Sequence, residues 1–351
     1  MNIHRLIFRI VRKLSKNKFS QKYLFYFLQH PFASKPYCYF YSKVIKKHLK
    51  EFKLSNLGIY LESINVCNSS CVMCPYPKMT RPKKIMTKEL FKKIVDDAQG
   101  LGISSLLFGF FGEPFLDPFI FERIKYLKER NFRITIFSNA SILNEEKIKR
   151  LLENPPDRLN LALDSLKKET YEKIRRGLSF EKVVSNIKRL IEERKKLNQE
   201  YPKIHLVFVE QELNKGEKQE FIDYWKDKVD SIKVNLEQGT IDDFKIENQA
   251  YGKDRLISYP CKKLWSHVTV MSDGRVALCQ CMDFDGKHVL GDLNKSTIRE
   301  IWEGKIFKRV RELHLNYQGD QIELCKNCVY PYRLNFRTWW QAFKKNEKKK
   351  K

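Results

Sequence analysis

The sequence predicts an α/β chain in which six β-strands alternate with helices to form a parallel sheet, followed by a small cysteine-rich α+β extension. Three observations carry this. Apolar runs of strand length alternate with amphipathic stretches of helical period from Leu57 to Leu236. The rhythm stops at a polar connector, 239–258, and beyond it five of the nine cysteines fall between Cys261 and Cys328. With 351 residues and 42% hydrophobic content, the chain is long enough to bury a large core.

The segment 1–56 comes first. Ile3, Leu6, Ile7, Ile10, Val11 and Leu14 recur at helical spacing among Arg5, Arg9, Arg12, Lys13 and Lys16, and an aromatic run, Tyr23 to Leu28, follows. That pattern predicts a basic amphipathic helix, either docked on an anionic membrane surface or packed on the body. The net charge of +26 sits mostly at the two ends: residues 1–50 hold twelve Lys/Arg and no acid, and 333–351 hold eight against Glu347. Such ends ask for an anionic partner. Nucleic acid is not the expected one, because no nucleic-acid-binding motif accompanies the bases. No run approaches the ~20 apolar residues of a membrane span. Arg5, Arg9, Arg12 and Lys13 interrupt the N-terminal apolar stretch, so no cleavable signal is expected. The expected location is the cytoplasm, peripheral at the membrane, where clustered cysteines read as metal ligands rather than disulfides.

Strands are predicted near 58–65, 103–110, 132–138, 158–164, 203–209 and 230–236, with helices near 87–99, 118–130, 144–153, 180–197 and 215–226. In parallel α/β sheets reactive residues gather beyond the C-terminal strand ends. Those junctions hold Cys67 to Cys74, Gly112-Glu113-Pro114, Ser138-Asn139, Asp164, Glu210-Gln211 and Glu237-Gln238. The first junction, CNSSCVMCP at 67–75, offers three thiols. A closed structural site wants four ligands, so three leave a metal position open. A share in a zinc site is the other reading of this loop.

Cys67, Cys71 and Cys74 in a CxxxCxxC loop after a first strand resemble the signature of the radical S-adenosylmethionine (radical SAM) enzymes. The resemblance implies a partial (βα)6 TIM-like barrel over 57–238. It also implies a [4Fe–4S] cluster on the three thiolates, whose fourth iron is chelated by SAM. Reductive cleavage of SAM would then give a 5′-deoxyadenosyl radical, with the electron supplied by a flavodoxin- or ferredoxin-type donor. GFFGEP resembles the family's GGEP segment, implying that Gly112 and Glu113 hold the SAM amine, with Phe111 in place of the first glycine. FSNAS and LALDS are similar to further family segments, implying SAM contacts for Ser138, Asn139 and Asp164. Ala162 stands where a ribose-binding serine is frequent, and Met73 replaces an aromatic residue that packs on adenine.

In the extension, Asp273-Gly274 predicts a hairpin turn between apolar strands at 268–271 and 275–278. The spacing Cys261, Gly274, Cys279, then Cys325-x-x-Cys328, resembles the SPASM and shorter twitch extensions, placing such a domain over 239–335 and a basic tail over 336–351. It implies that Cys261, Cys279, Cys325 and Cys328 hold a second, auxiliary [4Fe–4S] cluster. Structural zinc is the alternative reading of these four. Cys281 follows Cys279 too closely to be needed, although it could replace a ligand, and Cys38 reads as a semi-buried thiol. The expected function is hydrogen abstraction from a small polar substrate such as a sugar, cyclitol or glycan precursor, leading to oxidation or epimerisation. The single auxiliary site resembles that of 2-deoxy-scyllo-inosamine dehydrogenase. Alternatives are a peptide-modifying maturase and a non-catalytic zinc protein. Glu210, Gln211, Glu237, Asp254 and His267 are candidate lining residues, and none stands out as a general base.

Overall fold

The computed structural model of the chain describes residues 53–236, 260–316, 318–326 and 328. The basic amphipathic segment, the connector, Glu237, Asp254 and the terminal lysines lie outside the described residues. The described chain falls into two compact units, one comprising 53–236 with 263–308 and the other 260–262 with the described part of 309–328.

The first unit is built on one sheet. Its strands are β1 (Gly58–Leu61), β2 (Ser105–Phe108), β3 (Arg133–Ser138), β4 (Arg158–Ala162), β5 (Lys203–Glu210), β6 (Ser231–Leu236), β7 (His267–Val270), β8 (Arg275–Ala277) and β9 (Val289–Asp292). They lie in the order β6-β5-β4-β3-β2-β1-β7-β8-β9. The first six are parallel and each neighbours its predecessor, which is the order of a (βα) barrel left open. Crossovers are made by α1 (Lys88–Gly100), α2 (Ile120–Lys128), α3 (Glu145–Glu153), α4 (Lys168–Ile174), α5 (Phe180–Lys196) and α6 (Lys218–Trp225).

Local chemistry accounts for the starts of these helices. Thr87 Oγ1, Asn144 Oδ1 and Ser179 Oγ accept backbone N–H bonds from Leu90, Lys147 and Lys182, capping α1, α3 and α5. Each helix then buries one apolar stripe: Phe91, Ile94, Val95 and Ala98 on α1, and Val183, Ile187 and Leu190 on α5. In β3, Ile134, Ile136 and Ser138 alternate inward. Full burial of an Ile or Leu contributes about 1.5–3 kcal/mol, so these stripes hold the helices on the sheet.

Three strands end earlier than the apolar pattern predicts. β1 stops at Leu61, where Glu62 N still bonds Val270 O at 2.9 Å while its carboxylate pairs with the buried Arg81. β2 stops at Phe108 because Phe110 adopts φ +103°, which cannot continue a ladder. β4 stops at Ala162 because the Asp164 carboxylate, 2.7 Å away, takes the Val209 N–H. The additional helix α4 lies where no element was expected; at seven residues, with Tyr171 and Ile174 buried, it shows too little periodicity to read.

The predicted hairpin forms as β7 and β8. Gly274 sits at φ +92°, where a side chain would be strained, and its N–H bonds Met271 O at 2.9 Å. The hairpin is not a separate layer. β7 pairs in parallel with β1, from Gly58 opposite His267 to Leu61 opposite Val270. The extension therefore covers the β1 edge that the open barrel would otherwise leave bare. After β9 comes α7 (Ile298–Trp302), started by a capping box between Thr297 and Glu300, then α8 (Lys305–Leu315). In the second unit, Cys261 N bonds His314 Nδ1 at 3.4 Å, and Cys325 lies on the short α9 (Glu323–Lys326).

Candidate cofactor and metal centre

The three-cysteine loop follows β1 and is fixed at several points. Ser70 N and Val72 N bond Arg176 O and Ile174 O at 2.9 and 3.0 Å, tying the loop to the end of α4. Cys67 N donates to the Tyr76 hydroxyl at 2.8 Å, and Cys74 N bonds Cys71 O at 3.1 Å. Cys71 is buried, while Cys67 and Cys74 are half-buried. Burial, aided by the Glu113 charge, pushes the Cys67 thiol up to about 12, and burial also raises Cys74. Among the described residues no three His, Cys, Asp or Glu side chains form a ready metal cage. Thiols in general bind a metal as thiolates, releasing their protons as it binds.

The end of β2 is pressed against this loop. A Cβ on Gly112 would lie 1.9 Å from Ile64 O, so glycine alone allows that approach. Glu113 is 2% exposed, and its carboxylate accepts from Ser138 Oγ at 2.8 Å, Asn139 N at 2.7 Å and Phe115 N at 3.2 Å. Burial raises its pKa to about 6 against the pull of those bonds. The Asn139 amide then donates to Asn68 Oδ1 at 3.0 Å and stands 4.0 Å from Cys67 Sγ. Gly112, Glu113, Ser138 and Asn139 thus join the cysteine loop in one bonded network.

Asp164 reaches the loop indirectly. It is fully buried, with Oδ1 on Val209 N and Oδ2 2.5 Å from Arg175 Nε; the Arg175 Nη1 donates to Cys71 Sγ at 3.5 Å. Arg175 is a site residue the sequence reading missed. Its only signal there is a base at the end of α4, among many bases in a basic chain. Ser69 Oγ also lies 3.0 Å from Cys71 Sγ. The Tyr171 hydroxyl, buried beside this group, has no hydrogen-bond partner among the described residues. Met73 is half-buried in the loop.

The remaining candidates separate. Glu210 pairs with Lys218 at 2.8 Å, and Gln211 Nε2 is buried without a partner among the described residues, both at the C-terminal end of β5. His267 opens β7 opposite Gly58, at the far end of the sheet from the cysteine loop, so it does not line this site.

Of the extension cysteines, Cys279 and Cys281 belong to the first unit. Cys281 N bonds Cys279 Sγ at 3.4 Å, and Lys263 Nζ stands 3.0 Å from Cys281 Sγ. The Cys279 thiol and this ammonium hold Cys281 below the usual thiol range. Cys261, Cys325 and Cys328 belong to the second unit, where burial and then the charges of Cys328 and Cys261 raise the Cys325 thiol.

Residues 61–198 match the profile of the radical SAM superfamily, and 261–329 match the SPASM iron–sulfur cluster-binding domain. The chain carries a radical SAM domain followed by a SPASM iron–sulfur domain. Its cofactors are accordingly SAM and a [4Fe–4S] cluster, with additional iron–sulfur binding in the SPASM extension. The radical SAM chain is 30% identical over 151 residues to a tungsten-containing aldehyde ferredoxin oxidoreductase cofactor-modifying protein of Pyrococcus furiosus, covering 42% of this chain and 41% of that one. It is 30% identical over 156 residues to a GTP 3′,8-cyclase of Clostridium perfringens, covering 43% and 46%. The match spans less than half the length of these relatives.

Solved structures share the fold. BtrN in complex with AdoMet and 2-DOIA superposes with TM-score 0.50 at 19% identity, over 77% of this chain and 91% of that one. SuiB of Streptococcus suis bound to S-adenosylmethionine gives 0.58 at 15%, over 77% and 72%. The anSMEcpe protein with bound AdoMet gives 0.55 at 20%, over 74% and 83%. These likenesses establish the TIM-like barrel architecture.

The residues present fit a thiolate-held cluster. The donor set is three cysteines on one loop, and the Arg175 guanidinium and Ser69 hydroxyl stand at the Cys71 sulfur, where thiolate charge would develop. The missing Cβ of Gly112 leaves the loop its close contact with the end of β2.

Proposed function

We propose that this radical SAM protein abstracts hydrogen from a small polar substrate, such as a sugar, cyclitol or glycan precursor, in an oxidation or epimerisation. The observation that carries the reading is the bonded path from Glu113 through Asn139 to the loop of Cys67, Cys71 and Cys74. When bound, the cluster and SAM supply one-electron cleavage of a carbon–sulfur bond and a radical able to take hydrogen from carbon. The chain's own residues hold and orient. Cys67, Cys71 and Cys74 are the cluster ligands. The Glu113 carboxylate, aligned by Ser138 and Asn139, receives the amine of SAM, and Gly112 keeps the backbone close. Met73 packs beside the adenine.

In the extension, Cys261, Cys279, Cys325 and Cys328 are proposed as ligands of one auxiliary [4Fe–4S] cluster, which would take the electron left on an oxidised substrate. The donor is a flavodoxin- or ferredoxin-type protein. Among the described residues no helix is long and apolar enough to cross a membrane. The basic ends support peripheral contact of a cytoplasmic enzyme with an anionic membrane carrying a lipid-linked precursor.

A second reading is peptide modification, supported by the fold likeness to SuiB, which is also seen bound to precursor peptide SuiA. One experiment separates the two. Anaerobic turnover with fractionated extracts should release 5′-deoxyadenosine together with a small molecule lighter by two hydrogens, or an isomer whose mass is unchanged in H2O and that gains one deuterium in D2O. A modified peptide as the only product would replace the first reading by the second.

A further inference from the structure

We infer that Arg175, held by Asp164, sets the reduction potential of the cluster on the three-cysteine loop by aiming a fixed positive end at the Cys71 sulfur. This rests on the radical SAM reading of that loop. Cys71 is the most buried of the three thiols. Arg175 Nη1 reaches its sulfur at 3.5 Å, while Nε is fixed on Asp164 Oδ2 at 2.5 Å. Asp164 is itself immobilised, with Oδ1 on Val209 N at 2.7 Å and its carbonyl accepting from Asn214 Nδ2 at 2.8 Å. The guanidinium therefore cannot swing away without stripping a fully buried carboxylate of its partner.

The pair is neutral overall, but it is oriented. Its positive end touches the sulfur and its negative end lies behind. The redox couple takes one electron, from the 2+ to the 1+ cluster, and adds one negative charge to the iron–sulfur–thiolate unit. A donor and cation at a ligating sulfur stabilise the more negative, reduced form, and burial keeps water from screening the effect. A merely structural Arg175 would satisfy Asp164 and leave the potential alone.

The two ends of the pair give opposite expectations. Arg175→Met removes the positive end and should make the cluster harder to reduce by at least tenfold in equilibrium constant, about 59 mV for one electron. Asp164→Asn removes the negative end, leaves the cation, and should shift the potential the other way. The measurement is an EPR-monitored dithionite titration of the anaerobically reconstituted full chain without SAM, following the couple whose signal changes when SAM is later added. Should Arg175→Met not hold a cluster, because Asp164 is left unpaired, the double variant Asp164→Asn with Arg175→Met restores neutrality and should still be harder to reduce. Unchanged potentials in the variants, or shifts of the same sign in Arg175→Met and Asp164→Asn, would overturn the inference. A wild-type chain in which no iron–sulfur signal responds to SAM would instead count against the radical SAM reading itself.

Discussion

Gly112 is the residue on which the site's geometry turns. Its absent side chain lets the end of β2 touch the backbone of Ile64, three residues before Cys67, so a methyl group there has to move one segment or the other. Gly112→Ala should cost about 1–3 kcal/mol of stability, as overpacking does. SAM affinity, measured by calorimetry on the reconstituted chain, should fall at least tenfold. Glu113 makes a second prediction at this scale. Burial raises its carboxyl from 4.5 to about 6, so the folded chain binds the proton more tightly than the unfolded one. The resulting stabilisation is fully present below pH 4.5 and is lost as pH rises through 6, a change of about 2 kcal/mol. Urea unfolding of the cluster-free chain across this window should show that decline, and Glu113→Gln should flatten it.

Among the secondary elements, the least anticipated feature is a clamp between the loop after the cysteines and the hairpin of the extension. Arg81 forks onto Glu62 at 2.8 and 2.7 Å and donates to Phe284 O at 2.6 Å. Ser272 N reaches Glu62 Oε1 at 3.1 Å, and Thr80 N reaches Asp285 Oδ1 at 2.7 Å. Both partners of the ion pair are buried, so Glu62→Gln leaves a buried guanidinium without its counter-charge and should cost about 3–5 kcal/mol in chemical denaturation. The pair was not legible in the sequence, because residues 19 positions apart carry no periodic signal that they meet. The same limit hid Arg175, which is 104 positions from Cys71. What could be read was what repeats or is closely spaced. The strand and helix stripes, the Asp273-Gly274 turn and the CxxxCxxC loop all follow from local sequence. The ends of β2 and β4 were read too long because the positive φ of Phe110 and the capture of Val209 N by the Asp164 carboxylate carry no periodic signal.

The whole molecule joins two cysteine systems on one chain, and the sheet shows how the extension begins, with β7 laid along β1. If the SPASM segment holds its own four-iron cluster, replacing Cys325 and Cys328 together should lower iron from about eight to about four per chain after anaerobic reconstitution. Iron and sulfide assays check this, and SAM cleavage should persist at a reduced rate. The central claim is that the loop of Cys67, Cys71 and Cys74 carries a cluster that cleaves SAM, and it is tested most directly by anaerobic 5′-deoxyadenosine release under dithionite. The wild-type chain should release it, and Cys67→Ala, Cys71→Ala and Cys74→Ala should each abolish release, since each removes one of only three ligands. A single variant cleaving SAM at the wild-type rate would contradict the account.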